Sequence, residues 1–263
     1  MSTITIDRDR CLKDGICRAV CPFKLFRKGK DGIPVVEASA AQACMACGHC
    51  LAACPSGAIR LDGVSADSCA PAGATPRLTE VQVFDLFQTR RSTRAYRRRP
   101  VDRETLSRLL EITRWSPTAK NAQSVRWIVF ERPETVHELA GRVVDWYRET
   151  GGNPGLVMAW EKGVDLVHRG APHLIVAHAD ARGLKPSENC VIAMTGLELA
   201  ASVLGLGACW AGFFMNAAWN HPPLIERLDL PEHHEVYGAL MLGHPKYRYP
   251  RIPPRREVVV RWR

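Results

Sequence analysis

Seven cysteines of this 263-residue chain (Cys11, Cys17, Cys21, Cys44, Cys47, Cys50 and Cys54) crowd into its first fifth, and only Cys69, Cys190 and Cys209 lie beyond. No other feature limits the possible fold so strongly. A segment this short buries too little apolar surface to fold unaided and needs a staple. The start of the chain, MSTITIDRDRC, lacks the apolar stretch of a secretory signal. Clustered thiols in such a setting read as metal ligands rather than disulfides, and a cytoplasmic location is expected. The tightest run is Cys44-x2-Cys47-x2-Cys50-x3-Cys54-Pro55. Three thiolates on one tight loop can each reach a different metal of a cubic centre, while the fourth, beside proline, points away. A second group must then supply the missing ligand. Zinc, which takes four tetrahedral ligands and commonly uses two separated CxxC pairs, suits this spacing poorly. His49 reads as a surface neighbour rather than a ligand.

The second group is present in altered form: Cys11, Cys17 and Cys21-Pro22 hold its first, third and fourth positions, with Asp14 at the second. Together with CPSGAI at 54–59, residues 1–65 resemble a bacterial-type ferredoxin with two iron–sulfur clusters, in which the fourth cysteine of each run ligates the other cluster. That crossed pattern implies Cys11, Cys17 and Cys54 on cluster A and Cys44, Cys47, Cys50 and Cys21 on cluster B. Asp14 is the departure from the pattern. A carboxylate is a harder ligand for iron than a thiolate, so cluster A is either a [4Fe–4S] with Asp14 bound or a [3Fe–4S] without it.

Residues 66–77, rich in Ala, Pro and Gly, read as a linker, and residues 78–263 change texture to longer helical patterns between short β-rich runs. Helices are expected over Thr79–Thr89, from an Asp102 cap burying Leu106, Leu109, Leu110 and Ile112, over Glu134–Tyr147, and from a Ser187 cap to Leu206. Strands are expected at Thr3–Ile6, Ile33–Glu37, Arg126–Phe130, His173–His178, Cys209–Phe214 and Ala239–Leu242, with residues 151–170 as an irregular lid. Helices and strands mixed in this way indicate an α+β architecture.

The segment RRSTRAY from Arg90 combines guanidinium forks with a hydroxyl, a set that suits phosphate. An amphipathic helix follows, then the loop WSPTAKNAQ and a strand. Later come LGLGACWAGFF (204–214) and LGHPKYRYPRIPPR (242–255). In this order the elements resemble the FMN-dependent nitroreductase family across residues 80–260. The resemblance implies a central mixed sheet flanked by helices in a homodimer, with FMN at the interface. Arg90, Ser92 and Arg94, with Arg91 contributing, would meet the flavin phosphate, ribityl chain and pyrimidine edge. Pro117, Thr118, Ala119 and Asn121 would come from the neighbouring subunit. Trp210, Ala211 and Gly212 would line the isoalloxazine with a main-chain N–H toward N5. Arg255 would reach the phosphate, in competition with Lys246, Arg248 and Arg256. Trp160 and Trp210 also suit core or lid positions, and Cys190 and Cys209 suit buried, inert thiols.

The expected activity is an oxidoreductase whose clusters receive single electrons and whose flavin reduces a small organic substrate: a nitroaromatic, a quinone or an activated alkene. A ferredoxin, a flavodoxin or NAD(P)H would be the donor. The reverse flow, NAD(P)H to flavin to clusters to a protein partner, is the alternative. The formal charge of +9 also admits a nucleic-acid binder with structural clusters, but no recognition signature accompanies it, and neither nucleic acid nor membrane is expected as a partner. No catalytic acid or base stands out.

Overall fold

The computed structural model describes residues 2–73 and 78–263, so the last four residues of the expected linker lie outside the described residues. The chain divides into two compact units: Met1–Arg77 with Lys120–Ala122, and Leu78–Ala119 with Gln123–Arg263.

The first unit runs β1 (Ile4–Ile6), α1 (Ile16–Val20), β2 (Phe26–Lys28), β3 (Pro34–Val36), α2 (Ala38–Ala41), α3 (His49–Ala53), β4 (Ile59–Leu61) and β5 (Val64–Ser65). β1, β4 and β5 form one small antiparallel sheet, and β2 and β3 form a hairpin. The unit is two copies of one device. Before each short helix a glycine, Gly15 or Gly48, takes the left-handed conformation (φ 75° and 74°), which L side chains rarely adopt. Each helix ends on an extended cysteine, Cys21 or Cys54, followed by proline. Its core is small and partly sulfur: Cys17, Cys21 and Cys50 pack with Leu25, Phe26, Leu51 and Ile59.

The second unit contains α4 (Glu80–Thr89), α5 (Arg103–Thr113), β6 (Arg126–Phe130), α6 (Pro133–Thr150), α7 (Pro154–Glu161), β7 (His173–Asp180), α8 (Pro186–Val203), β8 (Gly207–Trp210), α9 (Gly212–Asn220), α10 (Pro222–Leu228) and β9 (His234–Gly243). Its sheet has the order β6-β7-β9-β8 with antiparallel ladders throughout. The parallel element is a single bridge, Ser92 to Ala208, at the β8 edge. β7 is buried on both faces. Leu174 and Val176 meet α6 and α9, while Ile175 and Ala177 meet α5 and α8, and burying each large side chain contributes about 1.5–3 kcal/mol. On α8 the stripe Cys190, Met194, Leu197 and Ala201 keeps helical spacing and is fully buried.

Local chemistry explains the boundaries. Thr79 and Gln82 form a reciprocal capping box at α4, and Asp102 accepts the Thr105 N–H at 2.7 Å to start α5. Four expectations are corrected. α8 begins at Pro186 rather than after Ser187, because proline is pre-set for the first helical position. The strand expected over Cys209–Phe214 stops at Trp210. From Gly212 the chain is helical, since Phe214, Met215, Ala217 and Ala218 share a buried helical face. Ile112 is exposed. Residues 151–170 are no open lid: α7 buries Leu156 and stacks Trp160 on His137 at 4.6 Å, and Val167 and His168 are core residues.

Candidate functional site

In the first unit the thiolate groups assemble as two sets. Cys21, Cys44, Cys47 and Cys50 line one cavity with Phe23 and Phe26. Burial pushes the Cys50 thiol up to about 11, against the nearby Leu51 N–H, and the Cys44 and Cys47 sulfurs push the same way. Cys17 has its pKa raised chiefly by burial, partly opposed by the Arg18 N–H; Asp14, Cys11 and Cys54 add to the rise. Those neighbours are the other members of the set expected for cluster A. Sulfurs crowded in an apolar pocket are costly as thiolates unless a cation draws them together, and these donors suit iron. Among the described residues no three His, Cys, Asp or Glu side chains converge as for one bare ion. A cubic cluster instead spreads its thiolates over several irons, and this arrangement fits it.

The repeat extends to hydrogen bonds. The Leu25 N–H donates to Cys21 Sγ (3.5 Å) and the Ala58 N–H to Cys54 Sγ (3.3 Å), each four residues on. Ser56 Oγ adds a contact to Cys54 at 3.6 Å. Asp14, exposed, accepts the Ile16 N–H on Oδ1 at 3.0 Å, which leaves its second oxygen free of that turn. The Asn121 side-chain amide, in the short segment grouped with this unit, donates to the carbonyls of Met45 (3.3 Å) and Ala46 (3.1 Å).

In the second unit residues 92–97 are stitched between β8 and the segment after β9. The Thr93 N–H donates to Ala208 O (2.9 Å), the Lys246 N–H to Ala95 O (2.9 Å) and the Arg97 N–H to His244 O (2.9 Å). A side chain at Gly207 would overlap Thr93, so glycine permits that approach. Two cavities flank the strip. One, of about 350 Å³, is lined by Arg90, Arg91, Glu198, Tyr247, Arg248 and Tyr249, among others. Arg90 Nη1 lies 2.9 Å from Glu198 Oε1, both largely buried, so this guanidinium is held in place and partly neutralised. Arg91 lies over the Tyr249 ring at 5.8 Å. The other cavity, of about 370 Å³, is lined by Arg94, Arg169, Cys209, Trp210, Gly212 and Phe213, among others. Burial raises the Cys209 pKa, with Arg94 and Arg169 opposing it.

The family models match this division of labour: "Nitroreductase family" over residues 87–244 and "4Fe-4S dicluster domain" over residues 10–59. The chain belongs to the nitroreductase family. It is an oxidoreductase of that family with an N-terminal 4Fe-4S dicluster ferredoxin domain. A relative from Methanothermobacter thermautotrophicus, provisionally named NADH dehydrogenase/NAD(P)H nitroreductase, is 26% identical over 186 residues, which is 64% of this chain and 80% of that one. A nitroreductase from Bacteroides fragilis with bound FMN shares the fold at TM-score 0.59 and 21% identity, covering 68% of this chain and 99% of its own. A provisionally named nitroreductase from Desulfovibrio desulfuricans in complex with FMN aligns at TM-score 0.52 and 26% identity, over 68% of this chain and 94% of its own. No helix among the described residues is long and apolar enough to cross a membrane.

Of the residues expected at the nitroreductase site, Arg90 and Arg91 line one cavity and Arg94, Trp210 and Gly212 the other, with Ser92 and Ala211 between them in the β8 strip. Arg255 lies in an exposed tail without regular structure and lines neither cavity; Arg248 lines the first. Thr118 lines a third cavity with Ser116, Gln123, Arg114, Arg126 and Trp127. The Ala119 N–H donates to Asn189 Oδ1 at 2.9 Å, which anchors the loop behind Pro117, while Asn121 is engaged on the Met45–Ala46 backbone instead. Sequence reasoning missed Glu198, Asn189, Arg169 and Tyr249. Glu198 and Asn189 sit inside a helix pattern in which a lone polar residue carries no signal of its distant partner. Arg169 sits in a turn without a recognisable motif.

Proposed function

We propose that this nitroreductase binds FMN in the second unit and two iron–sulfur clusters in the first, and that it reduces a small organic substrate with electrons received singly through the clusters. The observation that carries the reading is the second cavity: Arg94, Trp210 and Gly212, from segments more than a hundred residues apart, line one space. The FMN named in the Bacteroides fragilis and Desulfovibrio desulfuricans structures supports the cofactor. The domain reading is 1–65 for the clusters, 66–77 as linker and 78–263 for the flavin.

FMN, when bound, supplies the conversion between single-electron and two-electron chemistry. Arg91 and Arg248 offer guanidinium forks for its phosphate, with Arg90 oriented by Glu198. Ser92 and Arg94 would hold the ribityl chain and pyrimidine edge. Trp210 and Phe213 present aromatic walls that exclude water from the ring, and the main-chain N–H of Gly212 is the donor offered toward N5. Pro117, Thr118, Ala119 and Asn121 remain candidates to complete the cradle of a second copy. The exposed apolar side chains of α4, Val81, Phe84 and Phe87, support such a homodimer. In the first unit Cys44, Cys47, Cys50 and Cys21 hold a [4Fe–4S]. Cys11, Cys17 and Cys54 would hold the other cluster, a [4Fe–4S] with Asp14 as a further ligand and a [3Fe–4S] without it.

Iron, sulfide and flavin stoichiometry on one anaerobically purified sample tests the reading: two clusters and one FMN per chain are expected, and a chain that takes up no flavin on reconstitution sinks it. The reverse flow, from NAD(P)H through the flavin and the clusters to a protein partner, is the second reading; the name of the Methanothermobacter relative supports NAD(P)H as a reductant. Stopped-flow reduction by reduced ferredoxin or flavodoxin against NADPH separates the two directions. Of the arginines between 90 and 108, Arg90 pairs with Glu198, Arg103 pairs with Glu131, and Arg94 lines the second cavity.

A further inference from the structure

The loop between Cys44 and Cys47 is held by a side chain from far along the sequence. Asn121, half-buried, lies in the short segment grouped with the first unit. Its Nδ2 donates to Met45 O at 3.3 Å and to Ala46 O at 3.1 Å. A side-chain amide carries two N–H donors, so both are spent on this loop and only Oδ1 is left for any other partner. The Asn121 backbone is left-handed (φ 53°), a state asparagine tolerates better than most residues. Met45 lines the same cavity as Cys21, Cys44, Cys47 and Cys50. The amide therefore grips the stretch of backbone that joins two of the four thiolates expected on cluster B.

The two halves of the first unit separate shape from electrostatics. Ala46 and Lys13 hold the same place in the two cysteine runs, two residues after Cys44 and Cys11, and both are left-handed (φ 49° and 57°). The same turn is thus made twice. Among the described residues, only the Met45–Ala46 copy has its carbonyls engaged by a side chain; the Leu12 and Lys13 carbonyls have no such donor. The turn forms around Lys13 without an amide clamp, so forming it does not call for one around Ala46. What Asn121 adds is two positive hydrogens against two negative oxygens, on one cluster loop and not on the other.

We propose that Asn121 is a positioning residue of cluster B, and that its amide raises the potential of that cluster above the value the same loop would give alone. The proposal rests on the ligand set assigned to cluster B above and deepens it by making the two clusters unequal. One electron from a reduced ferredoxin or flavodoxin adds one negative charge to the cluster, with no bond made or broken. Carbonyl oxygens are the negative ends of peptide dipoles and oppose that charge. The amide hydrogens offset two of them. A carbonyl that accepts a hydrogen bond also makes the N–H of its own peptide, here that of Ala46 or Cys47, a stronger donor. Hydrogen bonding around the sulfurs is one of the levers that set a cluster's potential. Both effects favour the reduced state and tilt cluster B toward holding the electron.

The test is a potentiometric titration of the full-length, cluster-loaded protein with FMN bound. Cluster state is read by electron paramagnetic resonance, iron and sulfide are measured on the same samples, and FMN binding is followed separately by fluorescence quenching. Asn121→Gly is the principal variant, because glycine accepts the left-handed backbone and removes the amide. Asn121→Asp keeps the outline of the side chain but replaces donors by acceptors, and Asn121→Gln keeps the donors. In the Gly variant the ratio of reduced to oxidised cluster B at a fixed potential should fall about threefold, a shift of about 28 mV for one electron. The Asp variant should lower it about tenfold, or about 59 mV. Asn121→Gln should restore most of the wild-type value, and cluster A should not move in any variant. Unchanged cluster B potentials in the Gly and Asp variants overturn the proposal. So does loss of about half the iron in both, which would mark Asn121 as a holder of the loop, and so does an equal shift of both clusters. Weaker FMN binding with unchanged cluster potentials also overturns it and returns Asn121 to the flavin. If the wild-type chain takes up no iron and sulfide on anaerobic reconstitution, the two-cluster reading fails and this one with it.

Discussion

The two units of this nitroreductase reach stability by different routes. In the second, Leu174, Ile175, Val176 and Ala177 are wholly buried in mid-sheet and helices cover both faces. Its core closes with protein atoms alone. In the first, the largest cluster of buried residues has only seven members, and three of them are cysteines, two of which, Cys21 and Cys50, line one cavity. Remove the metal and that core keeps its desolvated thiols but loses what joins them. Metal binding and folding are then one event in the first unit and not in the second.

The sharpest way to break this contrast is Cys50→Ala. Iron and sulfide should fall by about half per chain and the first unit should become sensitive to protease, while the second keeps its own thermal transition. Loss of both units together would show that the contrast is wrong. Chelation of iron from the wild-type protein should give the same pattern more completely.

Leu174→Ala is the reciprocal test. It should cost the second unit about 2–5 kcal/mol in denaturant unfolding and leave iron content untouched.

Acid offers a milder probe of the same unit. His178 is buried with Nδ1 at 2.9 Å from His234 Nδ1, an arrangement in which one ring must donate and the other accept. Burial chiefly, then the charges of His234 and Arg126, lower its pKa to about 4 from an ordinary 6.5. A folded-state value below the unfolded one means stability is complete above pH about 6.5 and is lost as pH falls toward 4, by on the order of 2 kcal/mol once screening is allowed for. His178→Gln should flatten that slope in chemical denaturation at pH 7 against pH 4.5.

The smallest effect on stability is expected from Asp14→Cys, which makes the two halves of the first unit alike. It should change the paramagnetic resonance of cluster A alone; an unaltered spectrum would show that position 14 does not touch iron.

Much of this was legible in the chain because it is local. Cysteine spacing limits which sulfurs can share a loop, and left-handed Gly15 and Gly48 sit where a tight turn into each helix needs them. Asp102 and Thr79 announce their helices, and Arg126–Phe130 is a strand as expected. The misreadings fall where local signals tie. The apolar run after Trp210 suits strand or helix equally, and only the β8 register against β9, ending at Trp210 opposite Leu240, decides that it turns into a helix. The tract 151–170 carries little periodicity, and its burial comes from contacts with α6 and α9.

By itself, then, the sequence determined the dicluster domain, the division into a sulfur-rich and a sheet-based unit, and the family to which the larger unit belongs, because each is written in residues a few positions apart. The tertiary structure alone decided that Glu198 pairs with Arg90, that Arg248 rather than Arg255 lines the first cavity, and that Arg169 and Arg94 line one space. Charges that meet across such distances along the chain have no spacing to read; only the packed sheet, by burying everything between them, brings them within reach of one another.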